Sequence, residues 1–405
     1  MARMAGSASW AFLGLLGVAC VWQPTACVVE KPGGGAAESA VAADYLAAIG
    51  PEVVLPALED FSERAAELGD ALARWGDALS SGGGDAELAE AREAWSQAMF
   101  AWERLEVMQI GPGGAVVAAE GSVVTPGGEG IRDEIYSWPT INTCRVDQET
   151  AVESWTADGF FGENLVTTYG LDALEHLLFG SLETVCPGQV PPVSDGAWDA
   201  LGEAGVLGNR AAYALAVADE LSLVADELTA SWSPDGGDFS GALAAAAAPY
   251  EDEQEALNAV FHALFYLETV SKDRKLARPL GLQDCGEASC PEDVELLESG
   301  EGAAAIHANL LGFQALYTGA DGVGLDDVLA DLGHPDLADV ISVDLDAAIA
   351  LAAAMDGPMD EAVVSDTARV EALYEAVKIV TDSLKGDLAT VLLLEIPSEA
   401  SGDND

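Results

Sequence analysis

Apolar residues recur at three- and four-residue spacing over residues 53–79 and again over 86–109, which predicts two long amphipathic helices. Between them Ser80-Ser81-Gly82-Gly83-Gly84-Asp85 reads as a turn, with Asp85 as the N-cap of the second helix. Residues 111–130 are rich in Gly and Val and follow no period, and residues 138–144 read as a loop. The helical period returns from Asp147 and again over 162–179. The proline-rich stretch 187–195 predicts a domain boundary. Beyond it, 198–231 reads as one long helix or two, and 244–270 as another, adjusted at Pro249. Residues 276–300 read as loop, and 302–316, 337–355 and 365–394 complete a helical second half. No alternating strand pattern of useful length occurs. The expectation is an all-α fold of two tandem, four-helix-bundle-like halves, over 45–190 and 196–396.

Composition narrows the function classes. With 405 residues, half of them hydrophobic, the chain has the apolar content for packed cores. Its 70 acidic and 16 basic side chains give a net charge of −54, which excludes nucleic acid and anionic lipid surfaces as partners. The same charge attracts cations loosely and suits a salty medium, where screening relieves self-repulsion.

At the N-terminus, Arg3 and an apolar run from Trp10 to Ala19 have the proportions of a signal peptide over residues 1–19, too short to span a bilayer. The run ends in Leu15-Leu16-Gly17-Val18-Ala19-Cys20, which looks like a bacterial lipoprotein processing site with Gly17 where leucine is usual. Cys20 is the favoured lipid anchor and Cys27 a second candidate; ordinary secretion is the alternative. Residues 20–44, with Lys31-Pro32-Gly33-Gly34-Gly35, read as a flexible tether. Four cysteines remain, and an even count in an exported chain favours disulfides. Cys285 and Cys290 flank a four-residue loop, which leaves Cys144 and Cys186 to pair by elimination. Their spacings do not match a zinc-ribbon pattern.

The chemistry concentrates in Gly170-Leu171-Asp172-Ala173-Leu174-Glu175-His176-Leu177-Leu178-Phe179-Gly180. On a helix, Asp172, Glu175 and His176 share one face, while Leu174, Leu177 and Leu178 turn another way. Two carboxylates and an imidazole at this spacing make half of a site for one divalent metal: Fe, Zn or Mn. Glu103 and Glu106, themselves three apart, are candidates to complete it. The plainer reading is a solvated polar stripe, which so acidic a chain reaches easily by chance. His262 and His307 read as packing residues and His334 as a turn residue. The common zinc-protease, nucleophile-elbow, phosphate-loop and calcium-loop patterns are absent.

These residues, taken in order, resemble the imelysin family of exported bacterial proteins, which carry a G-x-H-x-x-E motif in a helical bundle. Gly170 through Glu175 occupy that motif, followed by a family-like Leu177-Leu178-Phe179-Gly180. Similar stretches include Trp102-Glu103-Arg104-Leu105-Glu106, Trp138-Pro139, Cys144-Arg145-Val146-Asp147, Lys275 to Gly281 and Ala308 to Gly312. Only Gly170 and Glu175 match the motif letter for letter; Asp172 stands where the histidine belongs, and His176 follows. The resemblance implies two bundle-like halves, a cell-envelope location and a metal-linked role, in iron acquisition or as a metallopeptidase. The first hypothesis is a lipid-anchored protein that binds a metal or small ligand. The second is a metallopeptidase with Glu175 as ligand or general base, and the third an interaction protein without a site.

Overall fold

The computed structural model describes residues 36–116, 124–397 and 400, so the expected signal peptide, Cys20 and Cys27 lie outside the described residues. The elements below belong to one unit spanning 34–405. Among the described residues no strand forms, and one isolated bridge joins Ala115 and Val124. The fold is all-α, as the periodicity requires.

After the short helix α1 (Ala40–Ala48), α2 (Leu55–Ser80) and α3 (Asp85–Glu106) run as an antiparallel pair. Their buried positions are the periodic ones: Leu58, Phe61, Ala65, Leu68, Leu72 and Trp75 on α2, and Ala91, Trp95, Ala98, Trp102 and Leu105 on α3. The N-cap of α3 is Gly84, at φ 130°, and Asp85 is the first helical residue instead. Then follow α4 (Thr143–Val152), α5 (Leu171–Phe179) and α6 (Ala197–Trp232), the last with non-helical Gly202 inside it. The helix expected over 162–179 is shorter than its pattern. A single turn at Phe160–Glu163 and another at Val166–Thr168 precede α5, which starts only beyond Gly170.

The expected helix over 244–270 is also divided. α7 (Phe239–Ala244) stops before Pro249, and Asp252 starts α8 (Glu253–Leu264) by accepting from the Glu255 N–H at 3.0 Å. A π-helical segment, α9 (Leu267–Ala277), follows directly. The second half holds α10 (Gly302–Thr318), α11 (Leu325–Asp331), α12 (Pro335–Ala353), α13 (Met359–Ser365) and α14 (Thr367–Ser383). The stretch expected as one helix to residue 394 changes to π-helix at Leu384–Leu388.

α6 packs on α2, α4 and α5, and α12 packs on α10 and α14. The two groups meet where α10 lies on α3. Gly312 permits that approach, since a Cβ there would fall 2.1 Å from the Arg104 carbonyl oxygen. Both expected disulfides are present: Cys144–Cys186 with Cα atoms 4.7 Å apart, and Cys285–Cys290 with 6.1 Å.

Candidate functional site

α5 is a nine-residue helix pinned at both ends. At its start, Gly170 takes the N-cap position, the Leu171 N–H donates to the Ile135 carbonyl at 2.9 Å, and Trp95 Nε1 donates to the Leu171 carbonyl at 3.1 Å. At its end, Arg92 Nε donates to the Leu178 carbonyl at 2.8 Å, while Arg210 donates to the carbonyls of Gly180 and Ser181 at 2.8 and 2.7 Å. Cationic donors on the last carbonyls complement the helix dipole. Leu171 to Leu178 are all buried, so no face of α5 is a solvated stripe. The polar side is covered by the loop after α9, which returns across α5 at residues 294–299.

That loop and α5 enclose a cleft of 440 Å³, bordered by Asp172, Glu175, Glu298, Trp138, Arg274 and Arg278 among others. Asp172 is 6% exposed. Its Oδ2 lies 2.7 Å from Ser137 Oγ, which itself lies 2.8 Å from the Thr140 carbonyl oxygen. A hydroxyl carries one proton, so both contacts are met together when Asp172 is protonated and donates to Ser137. Asp172 Oδ1 is buried and has no hydrogen-bond partner among the described residues. Burial raises the Asp172 pKa to about 6. Glu175 Oε1 accepts from the Ser299 N–H and from Ser299 Oγ, each at 2.9 Å. Burial pushes Glu175 up to about 7 against those two donors, with Glu298 and Asp172 adding repulsion.

His176 parts from the other two. Its Nε2 stands 2.9 Å from Asp147 Oδ1 and its Nδ1 2.9 Å from Glu298 Oε1. Burial disfavours the charged ring, yet hydrogen bonds and charge from Asp147 and Glu298 raise its pKa to about 9. Asp147 is correspondingly held below its usual range, chiefly by the His176 bond working against burial, and its Oδ2 accepts from the Val185 N–H at 2.9 Å. Both ring nitrogens of His176 are therefore occupied, and the residue braces the cleft wall from behind. Space for the ring comes from Gly180, where a Cβ would fall 2.8 Å from His176 Nδ1.

Glu103 and Glu106 do not border this cleft; Glu103 holds a buried cation, Lys275, and Glu106 a part-buried one, Arg132. Lys275 Nζ donates to Glu103 Oε2 at 2.6 Å and lies 2.7 Å from Glu295 Oε2. Glu106 is bonded to Arg132 Nε at 3.1 Å and to the Tyr266 hydroxyl at 2.5 Å. Burial alone would lower Lys275, but Glu103 and Glu295 raise it and keep it charged. Burial raises the Glu103 pKa well above the usual range. This network reaches the cleft through Tyr136, whose hydroxyl donates to Glu295 Oε1 at 3.0 Å and whose ring borders the cavity. His262 is bonded to the Glu395 carbonyl at 2.9 Å, His307 packs near Phe100, and His334 takes the N-cap position of α12.

Among the described residues, no group of three or more His, Cys, Asp and Glu is arranged to hold a metal ion. One feature of the cleft nonetheless fits a cation: Asp172 Oδ1, buried and without a hydrogen-bond partner among the described residues. Ser137, Ser299, Glu298 and Tyr136 carry no periodic or motif signal in the sequence. Asp147 stood beside Cys144 in a stretch already recognisable as family-like.

The fold and cleft define an all-helical protein organised around a short buried helix with two cleft-facing carboxyls. The Imelysin (Peptidase_M75) family model matches residues 54–385, and the chain belongs to that family. Among solved structures, it is similar to an imelysin-like protein from Psychrobacter arcticum 273-4, at 18% identity and TM-score 0.61, covering 88% of this chain and 97% of that one. A protein designated an iron-regulated protein A precursor, from Parabacteroides distasonis ATCC 8503, shares 17% identity at TM-score 0.64, covering 87% of this chain and 95% of that one. No curated protein matches the chain.

Proposed function

We propose that this imelysin-family protein binds a divalent metal ion, in an iron-linked role, at the cleft bordered by Asp172 and Glu175. The observation that carries this reading is Asp172 Oδ1, buried and without a hydrogen-bond partner among the described residues, on a residue that borders the cleft. A buried carboxyl without a partner is costly unless something satisfies it, and a cation does so while restoring its charge. Glu175, one turn on, supplies the second carboxylate, and His176 acts only by fixing Glu298 and Asp147. The iron-regulated designation of the Parabacteroides relative agrees with an iron link. Its precursor designation, with the apolar run Trp10–Ala19, supports export to the cell envelope, with Cys20 as the lipid anchor. The charge of −54 argues against nucleic-acid partners.

Elemental analysis after chelation and reloading tests the metal. One equivalent in the parent, lost in Asp172→Asn, supports the reading; no stoichiometric metal in either refutes it. Mass spectrometry of protein from a native-like host tests the anchor, and an unmodified N-terminus beyond Cys20 rules that residue out.

One observation favours a second reading, a metallopeptidase. The pKa of Glu175, raised to about 7, suits a general base at neutral pH. Peptide hydrolysis that disappears in Glu175→Gln while metal is retained distinguishes catalysis from binding alone.

A further inference from the structure

We propose that the cleft receives its metal as a complex with an aryl-oxygen chelator, of catecholate or phenolate type, rather than as a bare hydrated ion. This rests on the metal-binding reading above and deepens it, with the metal delivered as ferric iron in the complex rather than as a divalent ion. Four observations point the same way.

The first is donor number. Asp172 and Glu175 come from one helix, and each already has one oxygen engaged, by Ser137 and Ser299. With no group of three metal-ligating side chains among the described residues, most of a four- to six-membered coordination shell is left for another molecule to fill.

The second is size. The cleft holds 440 Å³. Six waters around an ion occupy roughly 180 Å³ at their liquid volume, whereas small organic ligands take pockets of roughly 300–1,000 Å³.

The third is the character of the walls. Trp138, Pro139, Ile141 and Leu297 border the same cleft, with Ile141 53% and Leu297 42% exposed. A hydrated ion would leave these surfaces wet, while the faces of an aromatic chelator would cover them.

The fourth is charge. Arg274, on α9, and Arg278, just beyond it, border the cleft with the carboxyls of α5. Arg278 donates from Nε to Asp293 Oδ2 at 2.8 Å, and its side chain is 40% exposed, so guanidinium N–H groups remain for an anionic oxygen. A bare cation gains nothing from the Arg278 guanidinium, but a metal with an anionic chelator does.

Isothermal titration of the intact protein with four probes tests this: ferric 2,3-dihydroxybenzoate, ferric citrate, anaerobic Fe²⁺ alone, and 2,3-dihydroxybenzoate alone. The aryl complex is expected to bind at least tenfold more tightly than the other three. Arg278→Gln and Leu297→Ser, both at partly exposed positions, are expected to weaken it severalfold and leave Fe²⁺ affinity unchanged. Fe²⁺ or ferric citrate binding as tightly as the aryl complex overturns the chelator proposal and leaves metal binding standing. Metal-free dihydroxybenzoate binding as tightly as its iron complex overturns the chelator proposal alone, and no binding by any probe overturns both.

Discussion

His176 and Glu298 lie 122 positions apart in the sequence, yet the Nδ1 of one stands 2.9 Å from a carboxylate oxygen of the other. The contact ties α5 to the loop that roofs the cleft, and Asp147 on α4 holds the opposite edge of the ring. Three separate segments thus converge on one imidazolium. The cleft wall is fixed by charge as well as by packing.

This arrangement predicts a specific pH dependence. Burial opposes the charged ring, but Asp147 and Glu298 raise the His176 pKa from its ordinary 6.5 to about 9. The folded state therefore holds the proton more tightly than the unfolded chain. The resulting stability is fully present below pH 6.5 and is lost as pH rises through 9. At about 1.4 kcal/mol per unit, the loss is at most about 3.5 kcal/mol. Urea midpoints at pH 6 and pH 10 measure it. Glu298→Gln should flatten the difference, and an unchanged slope in that variant would show that the pair does not hold the proton.

Two glycines should be intolerant of a methyl group although neither has a positive φ. A Cβ at Gly180 would lie 2.5 Å from the His176 carbonyl oxygen, and one at Gly170 would lie 2.9 Å from the Ile135 carbonyl oxygen. Gly180→Ala and Gly170→Ala are each expected to destabilise by about 1–3 kcal/mol, the usual cost of overpacking. Gly170→Ala should also weaken cation binding, because its Cβ, 2.8 Å from Asp172 Oδ1, would push that carboxyl aside. Thermal melts with and without Mn²⁺ separate the two effects; full metal stabilisation in Gly170→Ala would place the cation elsewhere.

Removing Lys275 should be among the most damaging single changes. Its ammonium is buried between Glu103 and Glu295, and Asn309 Nδ2 donates to the same Glu103 oxygen at 2.7 Å. Lys275→Met leaves buried carboxylates without their cation, a change expected to cost about 3–5 kcal/mol. Combining it with Glu103→Gln and Glu295→Gln should recover much of that loss. Chemical denaturation of the single and triple variants decides it, and equal losses in both would mean that the lysine contributes packing alone.

What was legible in the sequence follows from how each feature is encoded. Helices such as α2 and α3 bury one regular stripe, so period alone reveals Leu58, Phe61, Trp95 and Trp102. The even cysteine count and the short Cys285–Cys290 spacing gave both disulfides. Asp172 and Glu175 were recognisable because helical spacing puts them on one face, and they do border one cleft. His176 obeyed the same spacing but turned to partners 29 and 122 positions away, which local pattern does not encode. Glu103 and Glu106 looked like ligands because they stand three apart on a helix; their bonds to Lys275 and Arg132 join segments distant in sequence, which that spacing does not encode. The broken stretch before α5 misled for a different reason. Apolar residues such as Phe160 and Phe161 in the single turn, and Leu165 beyond it, continue a helical period that the backbone leaves at Asn164, the C-cap of that turn.

The Asp172 carboxyl gives the sharpest test of the cleft. Burial raises its pKa from 3.8 to about 6, so the folded protein binds this proton more tightly than the unfolded chain. Stability from this group therefore falls as pH rises from 3.8 through 6, and above that a constant penalty remains, at most about 3 kcal/mol. Asp172→Asn keeps the shape and removes the ionisation. It should raise stability at pH 8 by about 1–3 kcal/mol and change little at pH 4. Glu175→Gln should act in the same sense over 4.5 to 7. A cation in the parent should reverse the penalty by displacing the Asp172 proton, leaving Ser137 Oγ to donate to the carboxylate instead of to Thr140. Binding should therefore release protons, seen as a calorimetric enthalpy that changes with the ionisation enthalpy of the buffer. High salt is needed to suppress loose binding to a chain of charge −54. If Asp172→Asn instead loses stability at pH 8, the carboxylate is already ionised and satisfied in the folded protein, and the cleft has no unmet need for a cation.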